Sequence, residues 1–153
     1  MKALSLWQPW ASLIFGQIKP GLFKQWETRS WHTAYRGPLL IHAGAKHFSE
    51  HEAKRLFRSM GLWDYFHSWW YMPYGAILGR VELVDCISTK YLFDLHEVTQ
   101  EQRLLGDFSR DRFAWGLDSP VLFETPIPFR GRQRLFDVDN SFLEGKDMQA
   151  VVE

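Results

Sequence analysis

A chain of 153 residues suffices for one domain with its own core, and its 18 Lys and Arg against 18 Asp and Glu leave a formal net charge of zero, so a general cationic coat for nucleic acid or acidic membrane is excluded and any such binding must be local. Cys86 is the only cysteine, which excludes an intramolecular disulfide and a multi-cysteine zinc site and accords with a reducing compartment. The N-terminus carries no charged segment followed by a long apolar core, and no stretch approaches the roughly 18 apolar residues of a membrane span, so the chain is expected to be cytoplasmic, neither exported nor inserted.

Residues 2–7 form an expected short strand, and Gln8-Pro9 then opens a helix, since proline is pre-set for a first helical turn. Trp10, Leu13 and Ile14 follow at helical spacing, and the helix is expected to stop near Gly16. Lys19-Pro20-Gly21 is turn chemistry. From 26 to 31 the pattern alternates, with Trp26, Thr28 and Ser30 on one face and Glu27, Arg29 and Trp31 on the other. Arg36-Gly37-Pro38 breaks the chain before the apolar run 39–43, read as a central strand.

Ser49 and Glu52 match a helix capping box, and Ala53, Leu56, Phe57 and Met60 recur with helical period behind it. Residues 63–74 are aromatic and compatible with a short helix or a packed loop. The run 75–87 reads as a long strand whose glycines permit a bend. Weak helical periodicity marks 92–108, and 113–117 and 120–123 are expected as separate short strands. Pro126-Ile-Pro128 is read as an interruption, Arg130-Gly131 as a turn, and 133–138 as the last strand. Residues 140–153 are expected to be a loosely attached tail. Short strands with few helices, and no strand-helix repetition or linker, predict a single α+β domain over 1–153 with a barrel or strongly bent sheet.

Aromatic residues make up 16% of the chain, with eight tryptophans. Most belong in a core by default, and a minority are candidates for stacking a ligand. The densest chemistry lies in Lys24-Gln-Trp-Glu27-Thr-Arg29-Ser-Trp31, where Glu27 and Arg29 share a strand face two residues apart, across roughly 7 Å of rise. A turn before the strand can swing Lys24 to the same mouth. A lysine beside an arginine and withdrawn from water has a lowered pKa and becomes a candidate nucleophile, base or phosphate contact. The competing reading is a solvated strand edge. His42 lies in an apolar strand, where a hydrogen-bonded core histidine competes with a catalytic one. His47 and His51 have the i, i+4 spacing of metal ligands but no third partner, so no metal site is expected.

Three stretches together resemble successive signatures of the ASCH family, within the PUA-like superfamily: Ser5-Leu-Trp-Gln8-Pro9-Trp10-Ala11, Lys24-x-x-Glu27-x-Arg29-Ser30-Trp31, and Tyr35-Arg36-Gly37-Pro38-Leu-Leu-Ile41-His42-Ala43. Weaker echoes at Gly79-Arg80-Val81, Phe113-Ala114-Trp115 and Arg130-Gly131-x-Gln133-x-Leu135-Phe136 extend the resemblance over nearly the whole chain. It implies a bent β-barrel of about five to six strands with flanking helices, and a pocket lined by Gly-x-Lys-x-x-Glu-x-Arg. Here Gly21 to Lys24 has one residue too many and 17–23 resembles an insertion after Gly16. Lys24 is matched to the motif lysine by its spacing to Glu27 and Arg29, with Lys19 as rival.

The resemblance implies RNA or a modified nucleoside as partner, with no obligate protein partner and no cofactor. Three activities are open. For binding, Trp7, Trp10 and Trp31 offer stacking faces, Gln8 and Glu27 read a base edge, and Arg29, Ser30, Arg36 and Lys46 complete the substrate contacts. For ribonuclease action, Lys24, Glu27 and His42 are the catalytic candidates, a divalent metal being admissible. Hydrolysis of N4-acetylcytidine-like amides is the alternative, although that branch of the family carries a threonine where Glu27 stands, and Thr28 faces the other way. A non-enzymatic protein-interaction scaffold is the remaining possibility.

Overall fold

The computed structural model describes residues 1–144. In chain order its elements are β1 (Lys2–Leu6), α1 (Trp10–Ile14), β2 (Trp26–Arg29), β3 (Gly37–Ala43), α2 (Glu50–Ser59), a 3₁₀ helix (Trp63–Tyr71), β4 (Ala76–Ser88), α3 (Thr89–Leu95), α4 (Gln100–Arg103), β5 (Phe113–Pro128), β6 (Leu135–Asp137) and α5 (Asn140–Leu143). The strands make one six-stranded sheet in the order β2-β5-β4-β3-β1-β6. Every pairing is antiparallel except β1 with β3. The sheet curls into a half-barrel, and helices flank it, as an α+β bent barrel requires.

Two faces of the curl hold separate cores. The concave side packs Leu4, Leu6, Leu39, Ile41, Val81, Leu83 and Trp115 against Ala11, Ile14 and Phe15 from the α1 region. The convex side packs Ala3, Leu40, Ile77, Phe123, Ile127, Phe136 and Val138. Period-two alternation sorts β1 and β3 between these faces. The bend in β4 falls at Gly79, where the register with both neighbours shifts. A β-carbon there would collide with the Val121 carbonyl and approach the Phe15 ring at 2.8 Å, so only glycine lets α1 seat in the curl.

The capping box forms in both directions: the Glu52 amide donates to the Ser49 hydroxyl at 3.1 Å and the Ser49 amide to the Glu52 carboxylate at 3.2 Å. The aromatic segment after it is a 3₁₀ helix that buries Trp69 beside Phe57. Expected as two strands, 113–117 and 120–123, followed by an interruption at Pro126-Ile-Pro128, residues 113–128 are one strand, β5. Beyond Gly116 it has lost its neighbour β2, and a missing N–H on an open edge costs no ladder bond on that side. Of the C-terminal segment, Asn140–Leu143 is a helical turn capped by the Asp139 carboxylate, with Leu143 buried. Residues 145–153 lie outside the described residues.

Candidate nucleotide-binding cavity

Curling of the sheet brings β2, at one edge, to the end of β1 four places away in the strand order. Arg29 spans the gap, its Nη2 donating to the Ser5 carbonyl at 2.7 Å. The opening there is a cavity of about 370 Å³, toward the lower end of ligand pockets. It is lined by Ser5 to Trp7 and Trp10 on one side, Glu27 to Trp31 on another, and Leu105, Gly106 and Arg112 on a third.

The alternation of β2 has the consequence its sequence predicts. Trp26 packs with Leu92, Val98 and Ala114 on the outer side, and Glu27 and Arg29 point inward. The Arg29 Nη2 lies 3.1 Å from Glu27 Oε2, and the Lys24 Nζ lies 3.3 Å from Glu27 Oε1. The three side chains therefore converge on one carboxylate. They differ in depth, with side-chain exposures of 1% for Lys24, 12% for Glu27 and 25% for Arg29. Lys24 is the buried support, donating also to the Trp26 carbonyl, and Arg29 presents the guanidinium to the cavity. Burial pushes the Lys24 ammonium below its ordinary pKa, with Glu27 acting against that shift and Arg29 adding to it. The Arg29 Nε is buried without a hydrogen-bond partner among the described residues.

Lys24 is held by its neighbours. Its amide donates to the Leu13 carbonyl at 2.8 Å. The Gln102 side chain clasps both flanks, donating to the Phe23 carbonyl at 2.7 Å and accepting from the Gln25 amide at 3.0 Å. Lys19, the rival for the motif lysine, sits at the surface and pairs with Glu101 at 3.0 Å. Lys24 is the lysine that meets Glu27, from behind the cavity rather than in its lining.

Trp7, Trp10, Ser30 and Trp31 line the cavity with Glu27 and Arg29. Trp7 is half exposed, and the Lys46 ammonium sits 4.0 Å over its ring. Three expected site residues lie elsewhere. Gln8 is fully buried, its Oε1 accepting from the Ser12 amide and its Nε2 donating to the Pro73 carbonyl, so it fastens α1 and has no group free to read a base. His42 faces the convex core. The Phe129 carbonyl at 2.6 Å can only accept, so Nε2 carries the proton, and Nδ1 accepts from the Ser5 hydroxyl at 2.7 Å. Burial pushes its pKa down, and no ring nitrogen is left for a substrate. Arg36 folds back on the carbonyls of Thr33 and Tyr35, at 2.9 and 2.8 Å.

Sequence reading missed Arg112 and Arg134. Arg112 enters because the turn after α4 returns to β2: the Asp107 amide donates to the Thr28 hydroxyl at 3.2 Å and Arg112 Nη2 to the Thr28 carbonyl at 3.1 Å. Arg134 lays its guanidinium 4.6 Å over the Trp31 ring. No local pattern announces either, since chain reversal brings Arg112 into the cavity lining and Arg134 onto the Trp31 ring. A larger hollow of about 730 Å³ on the other side of the segment 23–26 is lined mainly by apolar groups, with Asp85, Asp118 and His96 at its polar margin. Lys24 borders it, but the ammonium is committed to Glu27. Its carboxylates repel a phosphate backbone.

Residues 4–127 match the ASCH domain family. Activating signal cointegrator 1 of Homo sapiens and of Mus musculus are each 32% identical over 152 residues, covering 93% of this chain and 23% of the relative. The chain thus spans about a quarter of the length of these relatives. Among solved structures, the ASCH protein of Zymomonas mobilis superposes with a TM-score of 0.50 at 15% identity over 94% of this chain and 90% of that one. A serine-to-alanine mutant of the same Zymomonas mobilis protein gives 0.52 at 15% identity over 94% and 91%. At that identity the likeness establishes the fold.

Proposed function

The chain belongs to the ASCH domain family, and from that premise we propose that it binds single-stranded RNA or a modified nucleotide in the cavity between β1 and β2. One observation carries this reading: the Glu27–Arg29 pair, backed by the buried Lys24, forms the polar floor of a cavity walled by Trp7, Trp10 and Trp31. Indole faces accept any base by stacking, a carboxylate accepts from exocyclic amines, and a partly exposed guanidinium donates to a phosphate or a base edge. Arg112, Lys46 and Arg134 add positive charge around the mouth in a chain of zero net charge, which is the local electropositive site that bulk composition leaves room for.

Binding is favoured over hydrolysis by the placement of the candidate catalysts. A base or nucleophile must reach the scissile bond, whereas His42 has both nitrogens engaged in the core and Lys24 is covered by Glu27. The amidohydrolase alternative lacks its hydroxyl: Thr28 Oγ1 is taken by the Asp107 amide. The test is filter retention of a labelled single-stranded RNA at low salt by wild type, Arg29→Ala and Trp31→Ala. Retention should fall about fivefold or more in each variant, since a charge-assisted contact and a stacked base each contribute roughly 1–3 kcal/mol. Equal retention by all three proteins refutes the site, and shortened RNA in the wild-type lane alone refutes the binding-only reading.

A further inference from the structure

We propose that Lys46 and Arg134 are displaceable covers on two tryptophan faces, and that the cavity for this reason selects phosphate-bearing strands over free nucleosides. The inference rests on the nucleotide reading above and adds which form of ligand the site takes.

Two of the three indoles that line the cavity already carry a cation, although neither cation is itself a lining residue. The Lys46 ammonium lies 4.0 Å from the Trp7 ring centre, and the Arg134 guanidinium 4.6 Å from that of Trp31. The rings themselves are fixed. Trp7 stands edge-on to Phe48 at 5.9 Å, and Trp31 edge-on to the buried Trp115 at 4.7 Å, whose Nε1 donates to the Trp31 carbonyl at 3.4 Å. Lys46 also lies 5.1 Å from the Phe48 ring centre. Neither cation forms a hydrogen bond or salt bridge among the described residues, and the hydrogen bonds of Glu52 go to Ser49. Arg103 is different: it also covers a ring, Phe93, but its Nε is tied to the Val98 carbonyl at 3.1 Å.

A cation over an exposed ring is held more weakly than a stacked nucleobase, so a base entering the cavity can take the ring face and release the side chain. The balance then depends on the ligand. A nucleoside offers the displaced cation nothing, and its stacking is opposed by the contact it breaks. A nucleotide in a strand carries a phosphate within reach of a long lysine or arginine stem, and the released cation exchanges a ring for an oxyanion. The covers thus act against uncharged ligands and in favour of charged ones.

The test uses quenching of tryptophan fluorescence by uridine and by a hexauridylate strand, with wild type, Lys46→Ala, Arg134→Ala and, as control, Arg58→Ala, which uncovers Trp63 outside the cavity. Affinity for uridine should rise about threefold in the two cavity variants, and affinity for the strand should fall about fivefold or more. The control should change neither. Changes of one sign for both ligands, or none, overturn the inference and leave the binding reading standing. Failure of wild type to bind either probe overturns both. The side chains of Lys46, Arg58 and Arg134 are all at the surface, and unchanged circular dichroism excludes misfolding as the cause.

Discussion

Glu27 is the residue on which the floor of the cavity depends, because it alone compensates two cations. Replacing a buried lysine by an apolar chain of similar length removes a desolvation cost, and here Glu27 would still keep Arg29 at 3.1 Å. Lys24→Met is accordingly expected to stay within about 1 kcal/mol of wild-type stability, the lost bond to the Trp26 carbonyl offsetting the gain. Glu27→Met strands a buried ammonium and is expected to cost about 3–5 kcal/mol. Urea denaturation of the two variants at pH 7 decides it, and equal losses would remove Glu27 from that role. Lys24 also sets a pH dependence. Its folded pKa lies below the ordinary 10.5, so between the two values the unfolded chain binds more protons and stability rises with pH, an increment that Lys24→Met should abolish. His42 acts at the acid end. Its folded pKa is below the ordinary 6.5, so its contribution is complete above that pH and is lost as pH falls through the folded value. Urea midpoints compared at pH 7.5 and 5.0 should differ less for His42→Gln than for wild type. At this scale the convergence of Lys24, Glu27 and Arg29 is legible in the sequence, because strand parity and a three-residue spacing allow it and the family resemblance selects it over a solvated strand edge. The fates of Gln8 and His42 are not, since each is decided by a partner far along the chain, Pro73 and Phe129 respectively.

Elements differ in how much of their cause is local. Helix α2 is fully local: cap, box and apolar period lie within the residues 49–60, and the structure buries Ala53, Phe57 and Met60 as that period requires. Ser49→Ala should cost about 1 kcal/mol, read as a shift of the urea midpoint without change of slope. The bend in β4 is half local. Glycine at 79 announces a possible kink, but its necessity comes from Phe15 and Val121, which pack against the missing side chain. Gly79→Ala is expected to cost about 2–3 kcal/mol, the range for forcing atoms into a filled core, and to loosen α1 and with it the Lys24 segment. A loss below about 1 kcal/mol would show that the curl does not need that close approach. The unbroken β5 is the least legible element. Prolines 126 and 128 read as an interruption in the sequence, and they are harmless because β2 spans just four residues and leaves that part of β5 as an edge.

Across the whole molecule, zero net charge and a cationic cavity make a quantitative demand on the salt dependence of binding. For single strands the slope of log affinity against log salt is about −0.7 per phosphate neutralised. Arg29 and Arg112 line the cavity and Lys46 and Arg134 lie over the Trp7 and Trp31 rings, while Arg29 is partly neutralised by Glu27 and Arg112 lies 3.5 Å from the Asp107 carboxylate. Two to three phosphates are therefore the most that this mouth can neutralise, giving a slope of about −1.4 to −2.1. Raising salt from roughly 50 to 200 mM should weaken strand binding by about 7- to 20-fold. Composition alone makes half of this argument, by excluding a general cationic coat. The curl makes the other half, by gathering cations from residues 29, 46, 112 and 134, which no window of sequence shows as a patch. A slope near −5, measured by fluorescence titration at several salt concentrations, would require about seven phosphates. That would move the interface from the cavity to an extended surface, for which the helix face bearing Lys54, Arg55 and Arg58 is the nearest set of clustered cations. A slope near zero would leave stacking on Trp7 and Trp31 as the whole of the binding energy, and the covers on those rings would then have no phosphate to meet.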